Sequence, residues 1–171
     1  MIYVKPVRKA VRTFLLEEDK VLAIKYITND DKQDFYDIPG GKIEDVETGE
    51  QTAIREFKEE AGIEIFNPKY TGNLIVEYPD RIFDFDVFIT SEYKGMPQIT
   101  EENASEWIKI NDLLQKEKKF AEIYLLDNNH KTDLLNMNNF KFHFITDKNH
   151  YMIDEVFYQN LDEFWKEYLQ S

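Results

Sequence analysis

The sequence predicts an α+β sandwich. Antiparallel hairpins stand near both ends of the chain, one amphipathic helix with strong end signals lies between them, and further strand-like runs are interspersed with helical ones. No fixed-period repeat, low-complexity tract or Pro/Gly/Ser linker divides the 171 residues, so a single domain over 1–171 is expected.

Residues 8–27 read as the first hairpin. Val11-Arg12-Thr13-Phe14-Leu15 alternates, Glu17-Glu18-Asp19-Lys20 is a polar turn, and Val21-Leu22-Ala23-Ile24 returns. A polar loop over 29–34 leads to a short strand, Phe35-Tyr36-Asp37-Ile38, which Pro39-Gly40-Gly41 stops. The helix at about 49–61 follows. Thr48 and Gln51 have capping-box spacing, Glu50 favours the positive helix end, and Gly62 supplies the C-terminal stop. Residues 74–78 and 82–90 are expected as strands, the second with Phe83, Phe85, Val87 and Ile89 on one face, and 107–110 as another. Helical character marks 111–126, and 127–139 form an Asn-rich polar loop or helix end. A closing hairpin pairs 141–145 with 151–158. It precedes a terminal helix capped by Asn160, with Leu161, Phe164, Trp165 and Tyr168 on one stripe.

Composition excludes several classes. The 42% apolar and 15% aromatic content is too high for disorder, and no apolar stretch approaches the roughly 20 residues of a membrane span. The N-terminal residues lack an apolar core and a cleavage site of the secretory kind, and the absence of cysteine excludes disulfides and thiolate metal sites, so a cytoplasmic location is expected. With 34 acidic against 21 basic residues the chain carries a net charge of -13, which argues against long nucleic acid and phospholipid surfaces as partners. The first 25 residues depart from that balance, holding six basic and three acidic residues. A small anion therefore has a local home near the N-terminal strands, and a divalent cation would offset carboxylates elsewhere.

The chemistry concentrates on the 49–61 helix. At about 100° per residue, with Glu56 at zero, Glu60 lies near about 40° and Glu59 near about 300°, while Ala53, Phe57, Ala61 and Ile54 occupy the adjoining apolar arc. Three carboxylates thus share one flank. Glu56 and Glu60 form a like-charge i,i+4 pair, which costs a few tenths of a kcal/mol unless a cation is near. Carboxylate oxygens without His or Cys suit Mg²⁺ or Mn²⁺, which retain water and bridge to phosphates.

Gly41 is followed after five residues by Glu47, and after seven more by Arg55-Glu56-Phe57-Lys58-Glu59-Glu60-Ala61-Gly62-Ile63. This resembles the Nudix box, G-x5-E-x7-R-E-U-x-E-E-x-G-U, where U is bulky and apolar. Phe57 stands where the family more often has an aliphatic residue. Tyr36-Asp37-Ile38-Pro39-Gly40-Gly41-Lys42-Ile43 is similar to the family's strand and glycine turn, and Ser105-Glu106-Trp107-Ile108 to its later strand. The likeness covers about residues 8–110 and is loose beyond. It implies a Nudix-type α/β/α sandwich with a mixed sheet, closed by the C-terminal hairpin and helix. The implied activity is Mg²⁺-dependent hydrolysis of a nucleoside diphosphate linked to another group, a small nucleotide being the partner.

Carried over by position, the metal ligands are Glu56, Glu59 and Glu60, assisted by the carbonyl of Gly40 or Gly41. Arg55 orients the cluster through Glu47. The general base is either Glu56 or, as in MutT-type members, a loop glutamate before the later tryptophan, here Glu102 with Glu101 its neighbour. Lys25 is a candidate phosphate contact, and Tyr36 and Asp37 candidates for stacking on and hydrogen-bonding a base; an exposed lysine and a core tyrosine are the alternative readings. The layout resembles MutT-type nucleoside triphosphate pyrophosphatases, some of which act on oxidised purines such as 8-oxo-dGTP. Pro79, at an offset that often marks ADP-ribose hydrolases, keeps that activity and dinucleoside polyphosphate hydrolysis open, and a nucleotide-sensing module without catalysis is the remaining alternative. Gly40-Gly41-Lys42 is no P-loop, since Ile43 replaces the required Ser/Thr. His130, His143 and His150 fit no ligand spacing and read as surface or strand histidines.

Overall fold

A computed structural model describes residues 5–26, 35–100, 103–146 and 153–156. The terminal helix expected from Asn160, together with Glu101, Glu102 and His150, lies outside them. Among the described residues the chain runs β1 (Val7–Glu17), β2 (Lys20–Tyr26), β3 (Phe35–Asp37), β4 (Gly40–Lys42), α1 (Gly49–Ala61), β5 (Glu64–Phe66), β6 (Lys69–Glu77) and β7 (Ile82–Thr90). It continues through β8 (Glu92–Lys94), β9 (Asn103–Lys109), α2 (Ile110–Leu114), a 3-10 turn (Ala121–Leu126), α3 (Lys131–Leu135), β10 (Phe140–Thr146) and β11 (Ile153–Val156).

The main sheet is mixed, in the order β11-β10-β6-β7-β1-β2-β3, with β4 on β1 and β9 on β2. Strand β1 is its pivot. It runs parallel to β7 from Val7↔Ile82 to Leu15↔Thr90, takes β4 on its other edge, and turns through Glu18-Asp19 into β2. The opposite faces of β1 pack on different layers, because side chains alternate. Leu15 joins Leu22, Ile24, Phe57 and Ala61 under α1, whereas Ala10 and Phe14 join Phe85, Val87 and Phe144 beneath α2, the 3-10 turn and α3. Helices on both faces of a mixed sheet make the expected sandwich.

Helix α1 forms as its ends dictate. Thr48 Oγ1 accepts from Gln51 N–H at 3.1 Å while Gln51 Oε1 accepts from Thr48 N–H at 2.9 Å, and Gly62 closes the helix at φ 73° with its N–H on Lys58 C=O.

Elsewhere tertiary pairing overrode local signals. Gly40 and Gly41 do not stop a strand but form β4, paired to β1 as Val11↔Gly41 and Arg12↔Gly40. The helix expected over 111–126 breaks after Leu114, because the Lys-rich segment is drawn onto β3: Tyr36 N–H donates to Lys118 C=O and Phe120 N–H to Tyr36 C=O, both at 3.0 Å. Those bonds cover an edge strand that would otherwise be open. Ile110, expected to end a strand, begins α2. The 127–139 segment contains α3, led in by Asp127, whose Oδ1 accepts from the N–H groups of Asn129 and His130. His130 is no surface residue: it is 4% exposed, edge-on to Phe142 and Phe144. His143 is a strand residue, buried against Glu77 at 3.0 Å. No described helix is long and apolar enough to cross a membrane.

Candidate active site

Packing sets the roll of α1. With Phe57 and Ala61 held by Leu15, Leu22 and Ile24, and Ala53 held by Val11 and Phe88, Glu56 and Glu60 are turned toward β4. Glu60 Oε2 accepts from Gly40 N–H at 2.9 Å and its Oε1 from the Tyr26 hydroxyl at 3.1 Å. The Glu56 carboxylate lies on Gly41, where a Cβ would stand 2.5 and 2.6 Å from its oxygens. Only glycine leaves it that room. Glu59 is outermost, its side chain 58% exposed.

Arg55 ties these groups together. Its Nε and Nη2 clasp Glu47 at 2.7 and 2.8 Å, Nη1 donates to Glu56 at 2.8 Å and Glu59 at 3.2 Å, and Nη2 also reaches Lys42 C=O at 3.2 Å. The planar fork suits that task. Hydrogen bonds from Arg55 hold the Glu47 carboxyl down to about 2. Burial acts the other way on Glu60, pushing its pKa up against the opposing hydrogen bond from Gly40. Burial and then Glu60 raise the Tyr26 phenol.

Glu56, Glu59 and Glu60 supply the donor set of a hard divalent cation: oxygen only, on one helix flank, beside a glycine strand that leaves one carboxylate unobstructed. They fit such an ion by chemistry. In the arrangement described, each is engaged by protein donors, and no three His, Asp or Glu side chains among the described residues converge closely enough to hold an ion.

A cleft of about 570 Å³ adjoins the glycine strand on which the Glu56 carboxylate lies, bounded by Arg8, Ala10, Arg12, Gly41, Lys42 and Phe83. Another, of about 520 Å³, lies at the far end of β1 and β7 against Ile89, Thr90 and Met137, and no residue of β4 lines it. The first therefore has the chemistry beside it: cationic walls, an apolar floor and the glycine strand.

Behind the cleft, Arg12 stacks on Phe85 at 4.6 Å and its Nε donates to Glu122 at 3.0 Å. Asp37 stands 3.7 Å from Arg12 Nη2 and accepts from Ile38 N–H at 2.7 Å. Burial and then the neighbouring Glu122 push the Asp37 carboxyl well above the usual range. Glu122 Oε1 is a buried oxygen without a hydrogen-bond partner among the described residues. Asp37 is thus the inner end of a buried cluster, and Tyr36 is a core residue, 7% exposed; neither lies on an open surface where a base would stack. Lys25 faces Glu106 at 4.0 Å, and by alternation from Tyr26 it points away from α1. Arg12, Glu122 and Tyr26 were not singled out by sequence reasoning. Arg12 did carry a signal, an arginine between Ala10 and Phe14 on a core-facing stripe.

Comparison with known proteins bears on the same region. The NUDIX domain model matches residues 6–128. The chain is 37% identical over 71 residues to the 8-oxo-dGTP diphosphatase of Proteus vulgaris, covering 42% of this chain and 62% of that protein, and so spans about three fifths of that relative. It is 27% identical over 119 residues to the CTP pyrophosphohydrolase of Escherichia coli K12, covering 70% of this chain and 88% of that protein. The crystal structure of the MutT protein from Bacillus halodurans superimposes with a TM-score of 0.66 at 20% identity, over 85% of this chain and 94% of that one. That likeness concerns the fold.

Proposed function

The chain belongs to the Nudix family, and from that premise we propose that it is a pyrophosphohydrolase dependent on a divalent cation, Mg²⁺ or Mn²⁺. The proposed substrate is a nucleoside triphosphate, including oxidised purines such as 8-oxo-dGTP, and the products are the monophosphate and pyrophosphate. The observation that carries the reading is the Arg55 fork holding Glu47, Glu56 and Glu59 on the flank of α1 that faces Gly41, a residue that also lines the cationic cleft. A sensing module would need no such array, and the relatives named as an 8-oxo-dGTP diphosphatase and a CTP pyrophosphohydrolase favour the triphosphate. Pro79 has a local explanation: it sits in the turn between β6 and β7, where Tyr78 N–H donates to Arg81 C=O at 2.8 Å.

In this reading Glu56, Glu59 and Glu60, with the Gly41 carbonyl, hold the cation, which when bound acidifies water and polarises a phosphate. The chain's own residues do the rest. Arg55, anchored on Glu47, sets the orientation of Glu56 and Glu59. Arg8 and Lys42 line the cleft with positive charge that draws the polyphosphate, and Ala10 and Phe83 offer apolar surface to the base. The proton of the attacking water passes to a carboxylate, that of Glu56, Glu101 or Glu102, which single Gln substitutions separate. A panel of canonical and oxidised triphosphates, ADP-ribose and dinucleoside polyphosphates with Mg²⁺ tests the assignment. Pyrophosphate should appear in phosphorus NMR, and ADP-ribose cleaved with higher kcat/KM than any triphosphate would overturn it.

A further inference from the structure

We propose that Arg12 determines base preference, donating through Nη2 to a ring carbonyl, so that 6-oxopurines are preferred over 6-aminopurines. The inference rests on the nucleotide reading above and concerns the cleft's inner wall.

Three observations carry it. First, Arg12 lines the cleft beside Ala10 and Phe83, on the face of β1 opposite α1. Second, its donors are unevenly committed. Nε is spent on Glu122 at 3.0 Å and one Nη1 hydrogen on Val11 C=O at 3.1 Å, whereas the approach of Nη2 to Asp37 is 3.7 Å, too long for a hydrogen bond. Third, the guanidinium is immobilised. Stacking on Phe85 at 4.6 Å fixes its plane and the Glu122 bond fixes its rotation, so the group's orientation at the cleft wall is set by the protein.

Charge decides what that donor reads. Glu122 is 1% exposed and balances Arg12 at hydrogen-bond distance, and the Asp37 carboxyl stands 3.7 Å from Nη2, so the guanidinium is compensated from its buried side. A phosphate is better served by Arg8 and Lys42 at the cleft wall. A compensated, oriented N–H instead suits a neutral acceptor such as a carbonyl. An exocyclic amino group at the same place would set donor against donor, leaving both unsatisfied, which is the costly case.

The test compares inosine, purine-riboside and adenosine triphosphates, which carry a carbonyl, a hydrogen and an amino group at C6, inosine differing also by its N1–H. For the unaltered protein with Mg²⁺, kcat/KM for the inosine substrate should exceed that for the adenosine substrate by about 10- to 100-fold, the worth of one hydrogen bond to a charged group. The purine-riboside substrate should lie between them. Arg12→Met should bring the three within about threefold of one another, a ratio measured within one protein and so independent of its overall activity. Because that variant leaves Glu122 buried without its cation, Arg12→Met combined with Glu122→Gln is made in parallel, with thermal melting to establish folding. Equal rates on all three by the unaltered protein overturn the inference alone, as does an inosine preference that survives in a folded Arg12 variant. Turnover of none of the three overturns the inference together with the triphosphate reading.

Discussion

Replacing Gly41 with Ala should disable the site while sparing the fold, and the reason lies in what the new methyl meets. A Cβ there would stand 2.5 and 2.6 Å from the Glu56 carboxylate oxygens, against an ordinary contact of about 3.5 Å, so the carboxylate must retreat by about 1 Å. The retreat is energetically minor, since the carboxylate ends a flexible side chain. Gly41 has no positive φ, so alanine is allowed there, and the loss of unfolded-state freedom contributes about 0.4 to 1 kcal/mol in its favour. Glu56, however, is displaced from the glycine strand and its 2.8 Å bond to Arg55 is broken. A misplacement of about 1 Å at a reacting site can cost about 10²-fold in rate. The expected outcome is therefore kcat/KM on the best triphosphate reduced about 10²-fold with an unchanged melting temperature. Gly40→Ala is the contrast: its Cβ would run into the backbone carbonyl of Val11, which cannot move aside, so stability should fall. Activity of Gly41→Ala within threefold of the parent would refute the placement of Glu56, and unfolding would refute the claim that its carboxylate yields.

Three further outcomes follow from the same geometry. Glu59→Gln should lower kcat by about 10² to 10³ with no change in melting, because its half-exposed side chain contributes charge to the site and little to packing. Acid stability should depend on Arg55: Glu47 is held at about 2 instead of the ordinary 4.5, so its contribution is complete above about pH 4.5 and lost as pH falls toward 2. Arg55→Lys, which cannot clasp Glu47 twice while reaching Glu56 and Glu59, should shift the midpoint of acid unfolding upward; an unmoved midpoint would count against the fork. Millimolar Mg²⁺ should raise the melting temperature relative to EDTA, by an amount that grows as RT ln(1 + [L]/Kd), and no rise at any concentration would mean that the free protein does not bind the ion.

Local signals were legible and long-range ones were not. Thr48, Gln51 and Gly62 specify the ends of α1 through bonds spanning only a few residues, and the glutamate spacing specifies its acidic flank. By contrast, β4 exists because β1 has an open edge, and the 111–126 helix breaks because Tyr36 takes its backbone bonds. Neither cause is written near the residues it affects. Arg12 and Glu122 are 110 residues apart, and Tyr26 and Glu60 34 apart, so their pairing has no periodicity to betray it. What the strand did reveal was a charged residue on a core-facing stripe, which has to be paired when buried.

The division of labour among the box residues follows from how Arg55 spends its donors. Three glutamates, Glu47, Glu56 and Glu59, pair with one arginine, so the flank keeps an excess of negative charge that a single guanidinium cannot balance. Glu47 takes two of the shortest bonds, from Nε and Nη2, while Glu56 and Glu59 share Nη1. A divalent ion competing for the carboxylates therefore meets unequal resistance. Such an ion would compete with the shared Nη1 at Glu56 and Glu59, while the two-point clasp on Glu47 would be left intact. Arg55 would then remain in place as its outer partners change, with Glu47 as the anchor rather than a ligand. Glu60 differs again, since Gly40 N–H and the Tyr26 hydroxyl hold it independently of Arg55. On that logic Glu47→Gln, which leaves Glu56, Glu59 and Glu60 chemically intact, should weaken ion binding through lost orientation alone.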